Sequence, residues 1–184
     1  MRIITGKAKG MRLDTLDGLE TRPTAERVKE AVFSCIQFDI DNRRVLDMFA
    51  GSGQMGLEAI SRGARECVFV EKNPEAMAIV KKNAVKTKLF DKSKILNTDY
   101  KDYLRGALKK EKFDIVFLDP PYKMKILQEL VGQIGEFLLN DNGIIVCESE
   151  DEIHYFAEGL TEIKFAKYGK IFITVLKKTA KKEE

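Results

Sequence analysis

The 184 residues suit one domain, and a chain of that length buries roughly 70% of the surface its unfolded form exposes, so no metal or disulfide staple is needed. A hydrophobic content of 44% and a charged content of 33% describe an ordinary globular chain, and a formal net charge of +3 does not by itself demand a nucleic-acid partner. Cys35, Cys67 and Cys147 lie in apolar segments without metal-ligand spacing, the lone His154 excludes most imidazole-based mechanisms, and no apolar run reaches the length of a membrane span.

The distribution of charge says more than its sum. Residues 1–13 carry Arg2, Lys7, Lys9 and Arg12 with no acid before Asp14, and the far end supplies Lys177, Lys178, Lys181 and Lys182. Such clusters could track phosphates, although basic termini also serve solubility. The start of the chain turns polar at once, unlike a signal peptide, and an odd number of buried thiols suits a reducing cytosol. A cytoplasmic monomer is the simplest expectation.

Residues 1–6 and 11–14 read as a short hairpin around Gly6 to Gly10, a small basic flap before the main fold. After Thr21-Arg22-Pro23-Thr24 comes an amphipathic helix. Its apolar positions are Val28, Ala31, Val32, Cys35 and Ile36, and Thr24 is the expected N-cap. From there strands and helices alternate. A strand over 44–49 is followed by a helix over 54–62 and a second strand over 66–71. Asn73-Pro74 supplies a cap and a first-turn proline for a helix to about Lys86. A weak strand near Ile95-Leu96 leads to Asp99-Tyr100 and another helix. The run 113–118 reads as a fully buried strand, and the helix after it has Leu127, Leu130, Val131, Ile134 and Leu138 on its apolar face. A strand over 143–147, a short helix over roughly 151–158, and two β segments over 161–167 and 170–176 complete the chain. The tight junction at Tyr168-Gly169 makes the last strand antiparallel to its neighbour. Alternating β and α units imply a mostly parallel, seven-stranded sheet with helices on both faces, all within one domain.

The loop after the first strand carries the cofactor signal. Gly51, Gly53 and Gly56 satisfy G-x-G-x-x-G, and Glu71 ends the second strand about 20 residues later. Glycines there admit a ligand against the backbone at a helix N-terminus, and Glu71 can accept from two ribose hydroxyls. Nicotinamide dinucleotides and S-adenosylmethionine share this geometry. Asp47 separates them, because an acid four residues before the first glycine would repel a pyrophosphate, whereas an ammonium and a sulfonium gain from it. Asp99, with Tyr100 beside it, is placed to accept from an adenine amino group. Each acid has a plainer alternative: Asp47 as a loop cap, Asp99 as a helix N-cap.

Asp119-Pro120-Pro121-Tyr122 ends the strand at 113–118. Two prolines fix two φ angles and remove two donors, so the turn offers carbonyl oxygens without competing N–H groups. A flat heterocycle with an exocyclic amino group fits such a place, its N–H bonds aimed at Asp119 and the Pro120 carbonyl, its face on Tyr122. The plainer alternative is a stiff turn with Tyr122 packed as core.

These motifs carry a resemblance. Asp47-x-Phe49-x-Gly51-x-Gly53 looks like the first motif of S-adenosylmethionine-dependent methyltransferases, and Asp119-to-Tyr122 resembles the motif of amino-group methyltransferases acting on nucleic-acid bases. Together with Arg2-Ile3-Ile4-x-Gly6, the segment from Arg22-Pro23-Thr24 to Glu30, Glu71 with Asn73, and Asp99, nearly the whole chain is similar to the bacterial 16S ribosomal RNA guanine-N2 methyltransferases of the RsmD type. The resemblance implies a Rossmann-like methyltransferase fold and methyl transfer from S-adenosylmethionine to the N2 amino group of one guanine in small-subunit ribosomal RNA. It requires no metal. Asp119, Pro120 and Tyr122 would be catalytic, and Asp47, Phe49, Gly51, Gly53, Glu71, Lys72, Asp99 and Tyr100 would bind the cofactor. Arg2, Lys7, Lys9, Arg12, Arg22 and Arg27 are candidates for RNA contact, with Arg27 alternatively pairing an acid beneath the flap. Three rivals remain open. One is a DNA adenine-N6 methyltransferase, which usually needs an added recognition domain. Another is a non-catalytic RNA-binding assembly factor, and the third a nicotinamide oxidoreductase.

Overall fold

The computed structural model describes residues 1–16, 23–108, 110–121 and 125–180. Among these, α1 spans Pro23–Cys35, β1 Arg44–Asp47, α2 Gln54–Ser61, β2 Glu66–Glu71 and α3 Pro74–Lys86. Next come β3 over Ser93–Asn97, α4 over Tyr100–Ala107, β4 over Phe113–Leu118 and α5 over Leu127–Phe137. Three strands finish the chain: β5 over Leu139–Ser149, β6 over Leu160–Tyr168 and β7 over Ile171–Lys178.

The seven strands form one sheet in the order β3-β2-β1-β4-β5-β7-β6. The first five are parallel, and β7 runs antiparallel to both β5 and β6. This is the Rossmann-like methyltransferase fold. Its two apolar layers follow from the period of two along each strand. Val45, Cys67, Phe69, Ile115, Phe117, Ile144 and Val146 face the layer containing Val28 and Val32 of α1, Leu57 and Ile60 of α2, and Val80 of α3. Their alternates Leu46, Val68, Val70, Val116, Leu118, Ile145 and Cys147 face Tyr103 and Leu104 of α4 and Leu130, Val131 and Ile134 of α5. Strands buried on both faces read as continuous apolar runs, which is why the parallel core was recognisable.

Four details depart from the sequence reading. Thr24 is not the cap of α1, because the helix already begins at Pro23, whose missing N–H costs nothing at a first-turn position. The basic flap is not a ladder of two strands but a single antiparallel bridge, Arg2 to Arg12, closed by Ile3 N–H to the Met11 carbonyl and Leu13 N–H to the Met1 carbonyl. β1 stops at Asp47, and Met48 and Phe49 already belong to the following loop.

No helix forms over residues 151–158. There the Gln128 side chain takes both backbone groups of Phe156, donating from Nε2 to its carbonyl at 2.7 Å and accepting its N–H at Oε1 at 3.2 Å. Those groups are therefore spent outside any helical ladder, and burial of Tyr155 pins the segment across the sheet end. His154, expected to be solvated, is half exposed and meets Glu162 at 2.8 Å while packing on Phe165.

Cys67 and Cys147 are buried and Cys35 is half-buried. No helix among the described residues is long and apolar enough to cross a membrane.

Candidate active site

The sheet order reverses between β1 and β4, and ligands of open α/β sheets bind at the carboxyl ends of the strands flanking such a point. Those ends carry acids. Asp47 closes β1, Glu71 closes β2, Asp119 follows β4 directly, and Glu148 is the penultimate residue of β5.

The loop between β1 and α2 is built by its glycines. Gly51 and Gly53 adopt φ of 54° and 78°, a region that favours glycine. A Cβ added at Gly51 would meet no atom within 4 Å, so the backbone there lies open, whereas one at Gly56 would fall 2.3 Å from the Phe69 ring. The first glycine thus exposes backbone, and the last lets α2 pack onto β2. Glu71 fastens the loop: its Oε2 accepts the Gly51 N–H at 3.0 Å and its Oε1 accepts the Asn73 N–H at 2.8 Å. Asn73 in turn caps α3 through Oδ1. Asp99 caps α4 by accepting the Lys101 N–H at 2.9 Å, as its plainer alternative had it, and it also faces the crevice.

A cavity of about 340 Å³ lies against this loop. Phe49, Gly51, Glu71, Lys72, Asp99 and Tyr100 line it together with Asp119, Pro120 and Pro121. The Phe49 and Tyr100 rings stand 5.4 Å apart, tilted by 49°. The acidic turn and the glycine loop, far apart in sequence, therefore share one volume. Two predicted members are absent from its walls. Gly53 shapes the turn from behind. Asp47 is almost fully buried and spends Oδ2 on the Gly56 N–H at 3.0 Å, the loop-capping alternative. Burial pushes the Asp47 carboxyl up to about 7, with the Gly56 hydrogen bond opposing and Glu71 reinforcing. Tyr122 and Arg22 lie outside the described residues.

Asp119 is exposed to solvent and lines the cavity. Desolvation by the groups packed around it, then the neighbouring carboxylates of Glu148 and Asp47, holds its carboxyl above the usual range. Water in the cavity moderates the first cause; the like charges act regardless. A second, smaller cavity of about 130 Å³ lies across Pro120 and Pro121, with Glu148, Ser149 and Tyr155 on its far side. Glu148 was missed by the sequence reading. The signal was available: it ends the apolar run Ile144-Ile145-Val146-Cys147 as Asp119 ends its own.

The flap projects its cations outward. Arg2, Lys7, Lys9 and Arg12 are all exposed, and Arg27 is exposed on α1. Arg2 also reaches Glu26 at 3.4 Å. The cation that enters beneath the flap is Lys29, not Arg27. Lys29 and Glu58 are both fully buried and pair at 3.6 Å. Glu58 also accepts the Ile4 and Thr5 N–H groups at 2.7 and 3.0 Å, and Lys29 donates to the Arg2 carbonyl at 2.6 Å. Neither anchoring residue was foreseen.

The model of the family described as conserved hypothetical protein 95 matches residues 1–177. YlbH of Bacillus subtilis (strain 168) is 41% identical over 155 residues, covering 83% of this chain and 84% of that protein. Ribosomal RNA small subunit methyltransferase D of Haemophilus influenzae is 34% identical over 154 residues, covering 83% and 80%. The solved structure of YhhF from Escherichia coli superposes with a TM-score of 0.86 at 29% identity, covering 98% of this chain and 99% of that one. A more distant RNA methyltransferase from Salinibacter ruber, solved with S-adenosyl-L-homocysteine, shares the fold at a TM-score of 0.66 and 15% identity, covering 90% and 97%. This chain belongs to the conserved hypothetical protein 95 family, the family of the RsmD-type methyltransferases.

Proposed function

We propose that this protein transfers a methyl group from S-adenosylmethionine to the exocyclic N2 amino group of a guanine in 16S ribosomal RNA, acting as a cytoplasmic, single-domain monomer. The observation that carries the reading is the shared cavity, which Gly51 and Glu71 line together with Asp119 and Pro120. Membership in a family whose relatives include a ribosomal RNA small subunit methyltransferase supports the substrate class.

The residues present fit the cofactor. Gly51 leaves backbone open where a side chain would intrude, Glu71 keeps further lone pairs for ribose hydroxyls, and Asp99 can accept from the adenine amino group. Phe49 and Tyr100 flank that space with aromatic surface, and Lys72 borders it. S-adenosylmethionine supplies an electrophilic methyl on a sulfonium. Asp47, behind the loop, adds negative potential without touching the ligand.

The guanine amino lone pair is delocalised into the ring, which makes it a poor nucleophile. Asp119 and the Pro120 carbonyl accept its two N–H bonds and draw the nitrogen toward tetrahedral geometry. Positive charge then grows on that nitrogen, and the Asp119 carboxylate stabilises it most at the transition state. Pro120 and Pro121 keep the acceptors fixed, so positioning supplies much of the remaining acceleration. Tyr122 stacks the base, a contact typically worth about 1–3 kcal/mol. The target must leave its own stack to enter. Arg2, Lys7, Lys9, Arg12, Arg22 and Arg27 track the surrounding phosphates.

The test is incubation of small ribosomal subunits, their assembly intermediates and duplex DNA with radiolabelled S-adenosylmethionine, followed by mapping of the labelled nucleotide. Label on the N2 of one 16S guanine is expected. Label on adenine N6 of DNA, or no transfer to any of them, refutes the proposal.

A further inference from the structure

The hairpin between β6 and β7 turns at the same end of the sheet as the crevice. Leu118 pairs with Cys147, Cys147 with Thr174 and Thr174 with Phe165, so one row crosses β4, β5, β7 and β6. Asp119 stands one residue beyond that row, and Lys167 two residues beyond it in the same direction. Three strand spacings of about 4.8 Å put the two backbones about 14 Å apart. Tyr168 and Ile171 form the last rung. Between them Gly169 takes φ of 63° at the first central position of a two-residue turn, where such hairpins favour glycine, and Lys170 follows at the tip.

The tip is anchored while its cations face water. Tyr168 and Ile171 pack on the apolar layer that holds α1. Lys167 is exposed, with its ammonium 4.9 Å from the centre of the Phe172 ring, and Lys170 is exposed at the turn. Among the described residues no carboxylate pairs with either lysine. The acids that follow β5, Glu150 to Glu152, lead into the segment whose Tyr155 packs on the opposite layer, with α5. On the side of α1 the charge is positive. Lys164 donates to the Ala31 carbonyl at 3.4 Å, which sets α1 beside β6. Since α1 runs down toward the start of β1, the exposed Arg27 stands one turn nearer the crevice end than Ala31.

The flap rests lower. The Lys7 N–H meets the carbonyl of Ser61, the last residue of α2, whereas α2 begins at the cofactor loop, about 10 Å back along its axis. Lys7 and Lys9 are thus placed for RNA farther from the target base, and the backbone next to that base needs cations at the crevice end.

Resting on the reading above, we infer that the β6–β7 tip is an RNA-binding element at the mouth of the crevice, with Lys167 and Lys170 each contacting a phosphate beside the target nucleotide. Such contacts fix the position of the strand and carry no sequence information. Lys167, already held on an aromatic ring, has less freedom to lose on binding than a lysine in open solvent.

The test is binding of protein-free 16S ribosomal RNA at several salt concentrations. It compares wild-type protein with Lys167→Gln/Lys170→Gln and Lys167→Arg/Lys170→Arg. Each lost phosphate contact flattens the plot of log affinity against log salt by about 0.7–0.9. The glutamine pair should therefore bind at least about 10-fold more weakly at low salt, with a slope shallower by about 1.4–1.8. The arginine pair should keep both values. In methylation of small ribosomal subunits the loss should fall on KM, since this binding is shared by ground and transition states. Cofactor affinity by calorimetry should match wild type, which also reports that the variants fold. A wild-type slope in the glutamine pair overturns the inference, and so does a loss confined to kcat. Weaker binding at an unchanged slope marks lost packing on Phe172 and overturns it as well. If wild-type protein transfers methyl to small subunits and the glutamine pair behaves identically, this inference alone fails; if wild-type protein neither binds the RNA nor transfers methyl to it, the functional reading fails first.

Discussion

Glu58→Ala should release the basic flap and leave the protein close to unfolding. Glu58 is fully buried and has four partners: the Ile4 and Thr5 amides, Arg62 Nε at 2.7 Å, and Lys29 Nζ at 3.6 Å. Alanine orphans two backbone donors and strands an ammonium whose other partner is the Arg2 carbonyl. Breaking a buried pair by removing one member costs about 3–5 kcal/mol, and each orphaned amide about 1–3 kcal/mol if water cannot reach it. These costs overlap, since the flap can lift and hydrate its amides. We therefore expect a loss of about 3–5 kcal/mol against a typical total of about 5–15 kcal/mol.

Urea unfolding measures it, and with a slope of about 1–3 kcal/mol/M the midpoint should fall by more than about 1 M. The loss also has a pH signature. Burial lowers the Lys29 pKa, with Glu58 and then Glu26 opposing. Removing Glu58 lowers it further. A folded state that sheds this proton more readily than the unfolded chain gains stability as pH rises toward the ordinary lysine value. The penalty of Glu58→Ala should shrink at alkaline pH, and Lys29→Met in the Glu58→Gln background should recover much of it. A loss under 1 kcal/mol, or one that grows with pH, would refute the account of the buried pair.

Asp119→Ala should reduce turnover by about 100-fold or more while cofactor affinity holds. Because the Asp119 pKa is raised, by desolvation first and by Glu148 and Asp47 after it, wild-type kcat/KM should climb with pH as the accepting carboxylate forms; a flat profile would count against its role. Asp47→Asn keeps an acceptor for the Gly56 N–H and removes a carboxyl held at about 7 when folded. The folded wild-type protein binds that proton more tightly than the unfolded chain, so its stability falls as pH rises from about 4 to 7, by up to about 4 kcal/mol. Denaturation at pH 5 and 8 should show the variant losing less; parallel losses would contradict the shift. Gly6→Ala and Gly10→Ala form a matched pair, since both sites have positive φ, 85° and 81°. At Gly6 the new Cβ would sit 1.8 Å from the Ser61 carbonyl oxygen, while at Gly10 it meets nothing within 4 Å. Gly10→Ala should cost about 1–2 kcal/mol of backbone strain and Gly6→Ala clearly more; equal costs would mean that the flap does not dock on α2 as described.

The sheet was legible because its signal is local. Cys67-Val68-Phe69-Val70 and Ile115-Val116-Phe117-Leu118 are apolar on both faces, and a strand covered by helices on both sides has no other composition available. The cap at Asn73-Pro74 was legible for the same reason, since its hydrogen bonds close within three residues. The failures came where distant groups decide. Nothing near Phe156 in sequence reveals that Gln128 takes its N–H and carbonyl and removes them from a helix. Similarly, nothing near Lys29 or Glu58 in sequence reveals that the docking of the flap buries them.

The site shows the same division between residue type and placement. Its acids were found singly, each by its position after an apolar run, and Glu148 escaped because no familiar motif surrounds it. What sequence could not show is that these carboxylates gather at neighbouring strand ends. Desolvation first, and the neighbouring carboxylates after it, raise the pKa values of Asp47 and Asp119. Glu71 and Asp47 lessen the strain by accepting backbone amides of the glycine loop. Asp119 faces the cavity, and an amino group donating to it would lower its pKa on binding. The crowding of these acids thus becomes selectivity for an N–H donor, so a base that presents its amino group to Asp119 should stabilise the wild-type protein more than the Asp119→Ala variant.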